Sequence, residues 1–180
     1  MVATVPPVAR KRTKTNRAAL FDRDGVLIVD TGYLSRPCDI RWVEGAQRAL
    51  SRLAALDYRR FVVTNQSGVA KGYFAEAAIA RVHDAMQAAL PAPVKIDAFA
   101  YCPHHQDGIV ARYTRICECR KPAPGMLERL IADHHIDRSA SFLVGDRASD
   151  LEAAERAGIR AFLFGGGDLD RFVADILEAL

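Results

Sequence analysis

Asp22 and Asp24 flank a single residue in Phe21-Asp22-Arg23-Asp24-Gly25, and Asp146 and Asp150 stand one helical turn apart in Gly145-Asp146-Arg147-Ala148-Ser149-Asp150. Alone, the first pair reads equally as a polar turn closed by Gly25, and the second as a helix N-cap. An EF-hand loop does not fit, because Gly25 comes too early and no glutamate closes the loop. Between the pairs lie Thr64, leading into Asn65-Gln66-Ser67-Gly68, and Lys121, which follows Arg120 and precedes Pro122. A carboxylate pair, a hydroxyl, a lysine and a second carboxylate pair, in that order, suit metal-assisted phosphoryl transfer. One carboxylate attacks phosphorus, its neighbour handles the leaving group's proton, and a divalent cation offsets the crowded negative charge. Lysine and hydroxyl donors then stabilise the equatorial oxygens.

A second cluster has a different chemistry. Cys102-x-His104 and Cys117-x-Cys119 supply three sulfurs and one imidazole, a full tetrahedral shell for Zn²⁺. Four protein ligands leave no open position, so the expected zinc is structural. The loop it would pin, residues 102–119, ends immediately before Arg120 and Lys121, and ordering it would order that pair. The alternative is buried or disulfide-bonded cysteine, which a reducing compartment disfavours. Cys38 is left over and reads as a packed thiol. His105 adjoins the cluster without a required role, and His83, His134 and His135 read as surface or packing residues of helical stretches.

These groups need a scaffold that brings distant residues to one edge. Apolar, β-rich runs predict strands near Ala18 to Asp22, Arg60 to Thr64, Asp97 to Tyr101, Ser141 to Gly145 and Arg160 to Phe164. Apolar spacings of three and four predict helices over Glu44 to Leu56, Ala75 to Leu90, Pro124 to His135, Ser149 to Ala157 and Leu169 to Leu180. The alternation implies an α/β, doubly wound parallel sheet covered on both faces, with its ligand site at the carboxyl ends of the strands. The polar clusters fall at those ends. Asp22 and Asp24, two apart, then face one side while Arg23 points away. Gly165-Gly166-Gly167 lacks a dinucleotide-binding spacing and reads as a turn.

The 180 residues suit one domain, and 50% hydrophobic with 26% charged residues excludes a mostly disordered or collagen-like chain. No apolar run approaches the roughly 20 residues of a membrane span. The formal charge is +3, but Arg10, Lys11, Arg12, Lys14 and Arg17 all precede the first strand with no acid among them. The body is therefore slightly acidic. Residues 1–17 have no apolar h-region, so they read as a basic disordered tail rather than a secretory signal, with contact to nucleic acid or an anionic surface the lesser reading. The cytoplasm is the expected location. No aromatic-interleaved basic groove suits stacked single-stranded bases, and no heptad stripe demands assembly, so neither nucleic acid nor membrane is an expected partner and a monomer is expected.

Phe21-Asp22-Arg23-Asp24-Gly25-Val26, Thr64, Lys121 and Gly145 to Asp150 resemble, in order, the four motifs of the haloacid dehalogenase superfamily of phosphatases, over about residues 18 to 165. The resemblance implies Asp22 as nucleophile through an aspartyl-phosphate and Asp24 as general acid, then base. It implies Mg²⁺ held by Asp22, the Asp24 backbone carbonyl and Asp146, with Thr64, Lys121 and Arg120 on the transferring phosphoryl group. Asp150 is expected to orient Lys121. The space between the first two motifs leaves room for a flap but no cap domain. Trp42 and Tyr33 fall in or near that flap, and Trp42 reads as packing.

Within the superfamily the chain is similar to the capless, zinc-bearing group, through Asp30-Thr31-Gly32-Tyr33, Lys71-Gly72-Tyr73-Phe74, Cys102-Pro103-His104-His105 and Cys117 to Met126. That similarity implies a small phosphorylated metabolite as partner: a heptose bisphosphate losing its 7-phosphate on the way to nucleotide-activated heptose, with histidinol phosphate as the alternative. Asp30, Gly32, Tyr33, Asn65, Gln66, Ser67 and Arg147 are the implied substrate contacts. The chain departs from the group's pattern at Ile28, Thr31 and Arg147, which bears on sugar recognition. A non-catalytic, zinc-stabilised binding module is the other class of reading, and it has no need of all five of Asp22, Asp24, Thr64, Lys121 and Asp146.

Overall fold

The computed structural model describes residues 16–180. Most of the expected basic tail lies outside the described residues, but Arg17 is already held, its guanidinium 4.4 Å from the centroid of the Tyr58 ring. Five parallel strands follow in chain order: β1 (Ala18–Phe21), β2 (Arg59–Asn65), β3 (Ala98–Cys102), β4 (Phe142–Gly145) and β5 (Arg160–Leu163). Their spatial order is β3-β2-β1-β4-β5. The central strands are buried on both faces, which is why β1 and β4 read as unbroken apolar runs rather than as alternating ones.

Helices α1 (Ala46–Ala55), α2 (Ala77–Ala88), α3 (Gly125–His134), α4 (Ala148–Arg156) and α5 (Leu169–Ala179) connect and cover the sheet. Ala19 and Phe21 of β1 point into one core with α1, α2 and α5 through Leu50, Leu53, Val82, Met86 and Val173. Ala18 and Leu20 point the other way, against Leu127, Leu130 and Ala154 of α3 and α4. This is the doubly wound arrangement that the alternation predicts, and it delivers the loops after β1, β2, β3 and β4 to one edge.

Residues between β1 and α1 form the flap. Isolated bridges join Ile28 to Asp24 and to Trp42, and a short 3-10 turn spans Pro37–Asp39. Ile28 is completely buried in the core and Trp42 packs against the same cluster. The departure at Ile28 is thus a matter of packing, and no further domain lies among the described residues.

Candidate active site

The loops at the carboxyl edge enclose a cavity of about 530 Å³. Asp22 stands one residue past β1, its N–H donating to Val144 O at 2.9 Å as though the strand continued. Its Oδ1 accepts from the Arg23 N–H at 2.7 Å and lies 3.0 Å from Lys121 Nζ. Lys121, 3% exposed, also reaches Asp150 Oδ1 at 2.5 Å and donates to Val63 O at 2.7 Å. Those three partners match the three donors of an ammonium. Burial is the largest influence on Lys121 and opposes its charge, but the Asp22 and Asp150 carboxylates outweigh it and raise its pKa. Burial pushes the Asp22 carboxyl up to about 7, with Lys121 opposing and Asp150 and Asp24 adding.

Asp150 holds Lys121 as expected, but the N-cap of α4 is Arg147 and not an aspartate, and Asp150 stands three residues on in a capping box. Oδ1 meets Lys121, while Oδ2 accepts the Arg147 N–H at 3.1 Å and so closes the first turn of α4. A Cβ at Gly145 would collide with this carboxylate, so glycine is needed where β4 ends.

Asp146 Oδ1 is the one buried side-chain oxygen or nitrogen among the described residues without a hydrogen-bond partner. Burial raises the Asp146 pKa, Arg147 opposing and Asp150 adding. One oxygen from each of Asp22, Asp146 and Asp150 lies within 4.8 Å of the others. An orphaned carboxylate oxygen in a cluster of three carboxylates and one lysine fits a hard divalent cation. Both oxygens of Asp150 are engaged, Oδ1 by Lys121 and Oδ2 by the Arg147 N–H, whereas Asp22 is engaged through Oδ1 alone, so Asp22 and Asp146 are the carboxylates with an oxygen open to it.

Asp24 is held from two sides. Arg23 Nη2 lies 3.1 and 3.0 Å from its two oxygens and Nε 3.3 and 3.2 Å. Gln66 Nε2 donates to Asp24 Oδ2 at 2.9 Å and to Thr64 Oγ1 at 2.8 Å. The expectation that Arg23 points away from the pair is corrected here. A guanidinium 1% exposed needs a counter-charge, and the nearest is Asp24.

Asn65 and Gln66, expected to touch substrate, line the cavity but also hold it together. The Asn65 side chain donates to Lys121 O at 3.0 Å and accepts the Lys121 N–H at 3.1 Å, tying the end of β2 to the lysine's backbone. Asp30, Gly32, Tyr33, Ser67, Arg120 and Arg147 line the same cavity. Arg147 Nη2 pairs with Asp30 Oδ2 at 2.9 Å across to the flap, and Lys71 Nζ donates to Tyr33 Oη at 2.9 Å. Nothing in the sequence spacing singled out the Lys71–Tyr33 contact.

At the end of β3 and in the loop that follows it, Cys102 and Cys119 Sγ lie 3.1 Å apart, Cys117 and Cys119 Sγ 3.2 Å, and His104 Nδ1 and Cys119 Sγ 3.4 Å. These sulfurs are free and too far apart for disulfides, whose S–S length is about 2.0 Å. Three thiols and one imidazole nitrogen, all within 4.8 Å of one another, fit the borderline-soft Zn²⁺. The middle of the loop is tied down separately: Ile109 and Val110 N–H both donate to Ala70 O, and Tyr113 Oη donates to Glu76 Oε2 at 2.5 Å. Glu76 gave no sign of this role in the sequence.

Cys38 is exposed, correcting the expectation of a packed thiol; it lies in the short 3-10 turn of the flap, away from both cores. His83 is buried and stacks on Phe99 with ring centroids 4.3 Å apart, whereas His135 closes α3 in a left-handed conformation.

The fold and the order of these groups along the chain define a hydrolase of the haloacid dehalogenase type, and a family model described as HAD-hydrolase-like matches residues 118–176. The chain is 42% identical over 161 residues to the D-glycero-beta-D-manno-heptose-1,7-bisphosphate 7-phosphatase of Rhodopseudomonas palustris, covering 89% of each. Among solved structures it is similar to a D,D-heptose 1,7-bisphosphate phosphatase from B. bronchiseptica complexed with magnesium and phosphate. The TM-score is 0.75 at 33% identity, over 88% of this chain and 86% of that one. A HAD-like protein from Mesorhizobium loti superposes with a TM-score of 0.81 at 29% identity, over 98% and 90% of the two chains. The chain belongs to the heptose bisphosphate phosphatase family of HAD-like hydrolases.

Proposed function

We propose that this chain is a Mg²⁺-dependent phosphatase that removes the 7-phosphate of D-glycero-β-D-manno-heptose 1,7-bisphosphate through an aspartyl-phosphate, in the synthesis of nucleotide-activated heptose. The observation that carries the chemistry is the Asp22–Lys121–Asp150 chain beside the orphaned Asp146 oxygen. The substrate rests on the relatives, which are named for it, and the β anomer on the same names.

Asp22 attacks phosphorus, the ester P–O bond breaks, and Asp24 gives its proton to the departing oxygen. Asp24, now a carboxylate, takes a proton from the water that attacks the aspartyl-phosphate, and phosphate leaves with Asp22 regenerated. Lys121, held by Asp150, and Thr64 stabilise the phosphoryl oxygens, with Arg120 assisting from the end of the cysteine loop. Asp22, Asp146 and the Asp24 backbone carbonyl would hold Mg²⁺, which supplies charge neutralisation at the phosphoryl group. Cys102, His104, Cys117 and Cys119 would hold a structural Zn²⁺. Asp30, Gly32, Tyr33, Ser67 and Arg147 face the sugar from around the cavity.

Mg²⁺-dependent phosphate release from the heptose bisphosphate by wild type, beside Asp22→Asn, tests this reading. Turnover by wild type and none by the variant is the expected result. Equal turnover by both would remove Asp22 as nucleophile, and none by either would favour the zinc-stabilised binding module.

A further inference from the structure

Arg23 is one of the largest fully buried side chains in the protein, yet it lies between two residues that line the cavity. It does not line the cavity, and its guanidinium, 1% exposed, is turned to Asp24 and His83. Its guanidinium has two sets of neighbours. Nε and Nη2 take the Asp24 carboxylate side-on, all four distances falling between 3.0 and 3.3 Å. Nη1 stands 3.5 Å from Nε2 of His83 on α2, whose ring is stacked on Phe99 of β3. Burial, with Arg23 adding, pushes the His83 pKa down to about 3, so a neutral ring faces the guanidinium.

Asp24 stands beyond the end of β1 and just ahead of Gly25, whose φ is +84°, so neither strand nor helix fixes its side chain. A carboxyl group that must deliver its proton to one leaving oxygen needs a fixed orientation, because misplacement by about 1 Å can cost on the order of 100-fold in rate. A planar guanidinium fork supplies that orientation where a point-charge ammonium does not.

We propose that Arg23 is a positioning residue for leaving-group departure: its buried fork orients the Asp24 carboxyl group for proton delivery and pairs with the carboxylate that delivery leaves, and His83 and Phe99 fix the fork. The inference rests on the reading of Asp24 as general acid. In the step concerned, the P–O bond breaks, its electron pair goes to the leaving oxygen, and the proton on Asp24 follows it. The carboxylate left behind stays on the Arg23 fork.

The test compares two leaving groups by kcat/KM, which covers the reaction through leaving-group departure. An alkoxide, as from the heptose bisphosphate, needs a proton; 4-nitrophenolate, from 4-nitrophenyl phosphate, leaves without one. Arg23→Met is expected to lower kcat/KM by about 100-fold for the sugar phosphate and by less than about threefold for the aryl phosphate. In an Asp24→Asn background the same substitution is expected to add nothing. Equal losses on both substrates would show that Arg23 only fills the core and would overturn the inference. Asp24→Asn alone separates the two levels of the argument: a loss confined to the sugar phosphate supports the acid reading, and a loss equal on both removes that reading and the inference with it. If Arg23→Met does not fold, Arg23→Lys carries the comparison, with a loss of about tenfold expected on the sugar phosphate alone; wild-type behaviour of that variant would overturn the role of the fork.

Discussion

Lys121 Nζ lies 2.5 Å from Asp150 Oδ1 and 3.0 Å from Asp22 Oδ1, so a single buried ammonium joins the carboxylates that follow β4 and β1. The two strands are neighbours in the sheet, and the lysine bridges their loops where the cavity opens. Stability and chemistry therefore depend on the same pair.

Removing Asp150 leaves the buried ammonium paired with Asp22 alone and one of its donors unsatisfied. Asp150→Ala is expected to cost roughly 1–3 kcal/mol of stability, read from urea unfolding. It should also lower kcat, because the lysine loses the partner that aims it. A stability change under about 1 kcal/mol would mean that the pair is far more solvated than its burial implies.

Gly25 adopts φ +84°, and a Cβ there would collide with the Asp146 carboxylate. Gly25→Ala should displace Asp146 and weaken Mg²⁺ by about 10- to 100-fold. A Mg²⁺ titration of activity checks this, and an unchanged midpoint would separate Asp146 from the metal.

Cys117→Ser removes one of four donors from the loop that runs into Arg120 and Lys121. Zinc content and phosphatase activity are expected to fall together, measured by elemental analysis and phosphate release on the same sample. Full activity in zinc-free protein would show that the Ala70 and Glu76 contacts alone order the loop.

His83 carries a pH signature. Its pKa is about 3 in the fold against an ordinary 6.5, so the neutral ring favours the folded state fully above pH 6.5. As pH falls below 6.5 the unfolded chain takes up the proton first, and this contribution declines by roughly 1.4 kcal/mol per pH unit towards pH 3. His83→Phe should abolish that part of the acid slope. Parallel slopes for variant and wild type between about pH 6.5 and pH 4.5 would contradict the burial argument.

Much of this architecture was legible in the sequence because the physics there is local. Val62 and Val63 of β2, or Leu143 and Val144 of β4, are apolar runs bounded by polar residues, and the strands begin and end within two residues of the expected positions. The cysteine cluster was legible because its spacing is that of a metal shell. Arg23 was not, since alternation predicts side-chain direction only within a strand, and Arg23 lies beyond Phe21, where the chain bends and a long side chain can fold back. Asn65 and Gln66 were legible as polar residues at the strand end that lines the cavity but not as struts, because their partners, Lys121 and Asp24, are distant in sequence. Cys38 misled because a lone thiol is usually packed, whereas here it falls in an exposed turn.

The central claim is most directly tested by phosphate release with Mg²⁺ from both anomers of D-glycero-D-manno-heptose 1,7-bisphosphate and from L-histidinol phosphate, compared as kcat/KM. The account predicts loss of the 7-phosphate from the β anomer, at a kcat/KM at least about 100-fold above that for histidinol phosphate. Preference for histidinol phosphate, or no Mg²⁺-dependent turnover of either sugar, would contradict it.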